Sequence, residues 1–392
     1  MKKTLAAVAV LGAFAGSALA ADVQLYGIVD TGLAYSHVDV DGIGDGQDMD
    51  SFSMESGQGS GSRWGIKGTE DLGNGLTVGF ILEDGFNSDD GSESGVMFNR
   101  ESSIFLQGGF GKIAFGRMGA LNNGQSSWSK IGMINAFGTS YGEYTARVDR
   151  VLTTAAQWDN MIAYETPDFA GFKVYAQYGM GNAVEDYGSE ENESSSDRFY
   201  AIGATYNNGP FAAYLAVDSI NYATASNGTV PVTSPDSIDD SLTVTLGGSY
   251  DFEVVKIYLG GQYFDEMKLS SLGGVMADLD SVGWRTEKVK GYGITLSGDA
   301  PLWGGKALFG LGYVDAESAD SFEDAQTGNQ SFDFKRYVVS VGYDYPFSKR
   351  TDVYAVASYM QDQWETTTAS GTTGVDADPS AYSVIVGLRH RF

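Results

Sequence analysis

Along most of this chain apolar residues recur at every second position, and that period of two limits the possible folds more than any other feature. In the first clear instance Val23, Leu25, Gly27, Val29, Thr31, Leu33 and Tyr35 oppose Gln24, Tyr26, Ile28, Asp30, Gly32, Ala34 and Ser36. Successive side chains of a strand point to opposite faces, so each such segment reads as a strand with one mainly apolar side. The pattern returns in Leu76, Val78, Phe80, Leu82, in Phe172, Val174, Ala176, Tyr178, and in Tyr337, Val339, Val341, Tyr343. It returns last in Tyr382, Val384, Val386, Leu388, His390, Phe392, where Arg389 and Arg391 share the opposite face. About sixteen such segments, each roughly ten residues long as a tilted membrane strand requires, begin near residues 23, 60, 76, 99, 111, 157, 171, 198, 210, 241, 254, 288, 305, 334, 350 and 381. An even number brings both ends of a closed antiparallel sheet to one side. The expected fold is therefore all-β: one 16-stranded antiparallel transmembrane β-barrel over residues 21–392.

Connection lengths point the same way. Short turns (72–75, 108–111, 167–171, 207–210, 251–253, 298–301, 345–348) alternate with long loops (37–52, 86–97, 119–156, 182–197, 221–240, 265–287, 316–332, 362–379). A membrane barrel segregates short turns and long loops to its two ends, whereas a soluble sandwich has no reason to do so. Proline cannot donate to a ladder. Pro167, Pro210, Pro301 and Pro346 are assigned to the short turns, and Pro231, Pro235 and Pro379 to the long loops. The 53 glycines, 23 tyrosines and 21 phenylalanines suit strands and turns better than helices. The longest uncharged apolar candidate for a membrane helix, Phe199 to Val217, is broken by Asn207-Asn208-Gly209-Pro210.

Residues 1–20 read as a cleaved signal peptide. Lys2 and Lys3 precede an apolar run from Leu5 to Gly16, and Ala18-Leu19-Ala20 supplies the small-x-small cleavage pattern. The formal charge of -27 would repel a phosphate backbone, so nucleic acid is not an expected partner. With no cysteine, thiol catalysis and thiolate metal sites are absent. His37 stands where the first strand meets its loop and His390 has outward parity, so neither serves a lumenal catalytic group. No G-x-S-x-G or H-E-x-x-H occurs, and neither an enzyme nor a cofactor is expected.

The acid is concentrated in long loops, as in Glu185, Asp186, Glu190, Glu191, Glu193 and Asp197, which reads as a solvated face, a cation-gathering vestibule or a divalent-cation surface bridging to anionic lipid headgroups. Asp39, Asp41, Gly44 and Asp50 match four positions of a calcium loop, but Ile43 stands where an oxygen ligand is needed, and no metal site is assigned.

The stretches "VQLYGIVDTGLAY" near residue 23, "SRWGIKGTEDLGNGLTVGFILE" from Ser62, "FNRESSIFLQGGFGKIAFGR" from Phe98, "NMIAYETPDFAGFKVYAQYG" from Asn160 and "VIVGLRHRF" at the end are familiar in this order. Together they resemble the general porins of Gram-negative outer membranes, particularly the neisserial and betaproteobacterial branch. The resemblance implies an outer-membrane homotrimer of barrels with short periplasmic turns and long extracellular loops, surrounded by lipid. Each barrel then passes small hydrophilic solutes and ions by passive diffusion through a water-filled lumen. A solute-specific channel or a surface adhesin is the alternative. It implies further that the third long loop, Gly119 to Ala156, folds inward as a constriction, for which Trp128, Ile131, Ile134 and Phe137 offer an apolar face.

Porins of this branch place wall bases opposite acids on that loop. By motif Arg63 and Arg100 match the wall arginines, and Lys67 shares the inner face of Arg63. Arg100 has the parity of Ser102, Ile104 and Leu106, so a bulge is required to turn it inward, and Arg117 is left at a strand rim. Gln157 stands where relatives commonly carry an arginine; Arg147 and Arg150 are the candidate replacements, and Glu143 and Asp149 the candidate acids, with internal salt bridges that hold the loop as the alternative for these four residues. The terminal Phe392 looks like the assembly signal of outer-membrane barrels.

Overall fold

A computed structural model describes residues 22–41, 48–181, 191–193, 195–223, 239–275, 288–320, 331–367 and 373–392; the expected signal segment lies outside them. Its strands are β1 (Asp22–Asp39), β2 (Met49–Ser56), β3 (Arg63–Gly73), β4 (Leu76–Gly85), β5 (Glu101–Gly108), β6 (Gly111–Gly119), β7 (Gln157–Glu165), β8 (Phe172–Gly179) and β9 (Arg198–Asn208). They continue as β10 (Phe211–Asn221), β11 (Leu242–Asp251), β12 (Lys256–Lys268), β13 (Lys288–Leu302), β14 (Gly305–Ser318), β15 (Ser331–Pro346), β16 (Thr351–Thr367), β17 (Thr373–Ala377) and β18 (Ser380–Arg391). Neighbours pair antiparallel all the way round, and β1 pairs with β18 from Ile28↔Arg391 to Asp39↔Ser380, so the sheet has no free edge. β2 and β3 both face β1, and β17 and β18 both face β16. Each pair forms one interrupted stave, and the wall has sixteen staves.

The predicted alternation governs which side each residue takes. On β15 Tyr337, Val339 and Val341 are exposed while Arg336, Val338 and Ser340 are buried. The same holds on β18, where Tyr382, Val384, Val386 and Leu388 face out and Ser383, Ile385 and Arg389 face in. This outward apolar skin would be an aggregation hazard in water and is the surface hydrocarbon requires. Aromatic residues bound it at both ends. Tyr292, Tyr313 and Tyr337 stand in a row near the loop end, with ring centroids 6.2 and 5.2 Å apart. Tyr345 packs edge-on to Phe347 at 5.7 Å near the turn end. From Tyr337 to Tyr345 the strand runs roughly 26 Å along its own axis, which at a tilt of about 40° is a height of about 20 Å, most of the roughly 25 Å apolar band of such barrels.

Two expectations about the connections are corrected. The loops read as 37–52 and 362–379 contain ordered strand: β2 sets the exposed Phe52 and Met54 beside Tyr35 and Leu33 of β1, in an alternation too short to stand out, and β17 prolongs the sheet along the loop end of β16, beyond the apolar band. The turn read at 298–301 lies at Trp303 and Gly304, which take φ 46° and 84° as a two-residue hairpin demands, and Pro301 is the next-to-last residue of β13. Asn74 and Gly75 turn the β3–β4 hairpin in the same way, at φ 54° and 76°.

Phe392 completes the seam. Its amide donates to the Gly27 carbonyl at 3.1 Å, the Gly27 amide donates back at 3.2 Å, and its ring covers the face of Gly27 where a Cβ would stand.

Candidate pore constriction

Residues 120–156, between β6 and β7, lie along the inner face of the wall. Leu121, Trp128, Ile131, Ile134, Phe137, Val148, Val151 and Leu152 are all at most 2% exposed. The wall makes room for them by omitting side chains. A Cβ at Gly203 would meet Leu121 at 2.6 Å, at Gly247 and Gly260 it would meet Ile134 at 2.7 and 2.9 Å, and at Gly310 it would meet Phe137 at 2.8 Å. At Gly293 and Gly312 it would overlap Val151. Six inward glycines on β9, β11, β12, β13 and β14 thus form a bed for one side of the loop.

Wall side chains also satisfy the loop's polar groups, as a buried connection requires. Asn122 Nδ2 donates to Asp218 at 2.5 Å, Asn135 Nδ2 donates to Thr295 Oγ1 at 2.8 Å, and the Ala136 and Ala146 amides donate to Ser297 and Ser340 hydroxyls at 2.9 and 2.8 Å. The Thr153 amide donates to Gln262 Oε1 at 2.7 Å. Arg336, 1% exposed, pairs with Asp362 at 2.6 Å and donates to the carbonyl of Arg150 at 3.1 Å.

The expected wall arginines converge on one carboxylate. Arg100 Nε lies 2.7 Å and Arg63 Nε 3.6 Å from Glu83. Phe98 at φ 56° resets the alternation, so Arg100, which precedes β5, turns inward and becomes 8% exposed. It also donates to Gln125 Oε1 of the loop at 3.3 Å, and Gln157 Nε2 donates to the same oxygen at 2.9 Å. Where an arginine was expected, a neutral amide holds the loop. Glu101 accepts from the Ser127 amide and hydroxyl, both at 2.9 Å. Arg117 stays at the rim, paired with Asp159 at 2.5 Å.

The expected loop acids do not face these arginines. Arg147 grips Asp149 bidentately at 2.7 Å, Arg150 contacts Asp149 at 3.2 Å, and Arg150 also pairs with Glu143. Close spacing within one short segment lets the four charges neutralise one another. Burial alone would raise both carboxyls, but Arg150 and Arg147 outweigh it and hold Glu143 and Asp149 below their ordinary values.

Three other lumenal bases lean on aromatic rings. Lys67 lies over the Tyr26 ring at 5.0 Å, Lys112 over Phe105 and Trp128 at 4.4 and 4.9 Å, and Lys130 over Tyr175 at 5.1 Å. Among the described residues no carboxylate lies within ion-pair distance of these three. Sequence reasoning missed the pivotal roles of Glu83 and Gln125 and the glycine bed. Inward parity was an available signal for Glu83 and for the glycines; for Gln125 there was none.

A closed, edge-free barrel with an apolar belt, a polar interior and a loop laid across that interior defines a membrane channel of the outer-membrane type. The chain belongs to the Gram-negative porin family, whose profile matches residues 6–363. Over the whole of both chains it is 35% identical to an outer membrane porin protein of Bordetella pertussis and 30% identical to outer membrane porin protein 32 of Delftia acidovorans. It is likewise 30% identical over both full lengths to a major outer membrane protein P.IB of Neisseria meningitidis serogroup B. Among solved structures it resembles the anion-selective porin from Comamonas acidovorans, with a TM-score of 0.65, 25% identity, and coverage of 95% of this chain and 100% of that one. The trimer form of OmpT of Vibrio cholerae, with a TM-score of 0.57 and 17% identity over 95% of this chain and 100% of that one, shares the fold. The protein is an outer-membrane porin, a passive channel for small hydrophilic solutes.

Proposed function

We propose a general diffusion pore with a mild preference for anions, narrowed by the 119–156 loop. The observation that carries the sign is the imbalance of paired charge at the constriction. Arg63 and Arg100 share the single carboxylate of Glu83, and Lys67, Lys112 and Lys130 lean on aromatic rings, while the loop's own acids are consumed by Arg147 and Arg150. A bare cation over a ring keeps most of its field. The acidic outer loops lie farther from the path, and at physiological salt charges more than about 8 Å away are largely screened. The similar Comamonas acidovorans porin is described as anion-selective, which supports the same sign.

Residues 1–20 act as a removed export signal, Phe392 acts in assembly, and the apolar belt carries both lipid and the contacts of a homotrimer, the form in which a V. cholerae protein of the same fold was solved. No catalytic role is assigned. His37 stacks on Tyr382 and meets Asp50 at 3.1 Å, and His390 meets Thr351 at 2.9 Å, so both face away from the lumen.

Planar-bilayer recording in a salt gradient tests the reading. Linear, solute-blind conductance with a reversal potential on the anion side is expected. Saturation or block by one solute would instead indicate a specific channel, and absence of conductance an adhesin.

A further inference from the structure

Between β2 and β3 the wall gains residues that its neighbour lacks. Thr31 faces Ser56 and Ile28 faces Arg63, so residues 57–62 stand opposite only Val29 and Asp30 of β1. The surplus leaves the sheet on its lumenal side. The Gly59 amide donates to Tyr354 Oη at 2.9 Å, and Arg389 Nη1 donates to the Gly59 carbonyl at 2.9 Å and to Ser60 Oγ at 3.1 Å. Tyr354 and Arg389 belong to the buried, inward rows of β16 and β18. On the other flank Arg63 Nη1 donates to the Gly61 carbonyl at 3.0 Å.

The excursion also meets the tip of the constriction loop. The Tyr141 amide donates to the Gln58 carbonyl at 2.5 Å, with Tyr141 held at φ 76°, and Tyr141 Oη donates to Asp344 at 3.1 Å. Arg389 is itself fixed between Asp344 and Asp352, at 2.9 and 2.8 Å. Gly59 is required for this packing, because a Cβ there would lie 2.6 Å from the Tyr354 ring and 2.8 Å from Asp30 Oδ2. Gln58, Glu143 and Arg147 then share the lining of a cavity of about 360 Å³.

We propose that residues 57–62 are a second constricting element, which bounds the passage together with the tip of the 119–156 loop, and that Tyr354 and Arg389 are positioning residues for it. A backbone segment whose carbonyls at 58, 59 and 61 are all engaged is a fixed wall, and it presents the neutral amide of Gln58 beside the charged Glu143 and Arg147. The inference rests on the diffusion-pore reading.

The chain contains no cysteine, so Gln58→Cys introduces a single thiol. Labelling that variant with a bulky methanethiosulfonate reagent during bilayer recording should cause a stepwise loss of single-channel conductance that the parent chain does not show. Unchanged conductance after labelling confirmed by mass would overturn the proposal. Should Gln58→Cys not fold, Ser60→Cys serves the same purpose. Tyr354→Phe, which keeps the ring and removes the hydroxyl, should increase open-channel current fluctuation, and unchanged fluctuation would overturn the positioning role. If the parent chain itself does not conduct, the pore reading fails instead, so the two failures are distinct.

Discussion

Arg100 and Glu83 form a 2.7 Å ion pair on the wall beside the first residues of the loop, with Arg63 on the far side of the same carboxylate. Glu83→Gln releases two bases into the passage and should move the reversal potential toward anions; Arg63→Glu should move it toward cations. A unit charge about 10 Å from a permeant ion in water contributes about 0.4 kcal/mol, so the one-unit change of Glu83→Gln should alter the access of an ion of one sign about twofold and the two-unit change of Arg63→Glu about fourfold. A reversal potential that did not move with Arg63→Glu would remove this residue from the path.

The Arg336–Asp362 pair lies beneath the loop with essentially no solvent contact. Arg336→Met deprives a buried carboxylate of its counter-charge and removes the donors to the Arg150, Leu272 and Gly273 carbonyls. A loss of about 3–5 kcal/mol is expected. Heat-modifiable gel mobility should record it as a lower unfolding temperature, and adding Asp362→Leu should recover part of it.

The glycine bed predicts a sharp contrast between positions. Gly312→Val drives a branched side chain into Val151 and should cost about 1–3 kcal/mol of barrel stability, with a disturbed conductance as the loop shifts. Gly109→Ala, at a turn with open space around it, should leave both unchanged.

Acid should affect the loop late. Glu143 and Asp149 are held below their ordinary values, so their contribution is complete above the unfolded carboxylate values near about 4 and is lost as pH falls through the lower folded values. The part of the acid-induced open-channel noise that Glu143→Gln with Asp149→Asn abolishes should therefore appear only below about pH 4. A component abolished by the same two substitutions but beginning near pH 6 would contradict the pairing of these acids.

Phe392→Ala removes the ring that covers Gly27 while leaving the backbone pairing intact. A lower yield of folded barrel, scored by gel mobility after refolding into detergent, is expected.

Much of the barrel was legible from the period of two, because a wall with hydrocarbon outside and polar groups inside imposes a choice at every residue. Strand positions and the inward placement of Arg63, Arg389 and Glu83 follow from it. Legibility ended where that choice ends. β17 lies beyond the apolar band and carries no such contrast, and on β2 the alternation of Phe52 and Met54 with Ser51, Ser53 and Glu55 is only a few residues long and is cut off from that of β3 by residues 57–62. Arg100 was ambiguous because one left-handed residue, Phe98, shifts the count. The pairing of Glu143 and Asp149 with Arg150 and Arg147, rather than with the wall, was one of two readings the sequence left open, because close spacing permits internal pairs but how the loop folds back decides between them.

The missing side chains at Gly203, Gly247, Gly260, Gly293, Gly310 and Gly312 mean that the aperture is specified twice, once by what the loop carries and once by what the barrel leaves out. Grafting this loop into a cylinder with fuller inward rows would crowd it toward the axis, and giving this cylinder a slimmer loop would leave hollows along its lining. Tuning the permeation limit of the protein therefore requires paired edits to both partners.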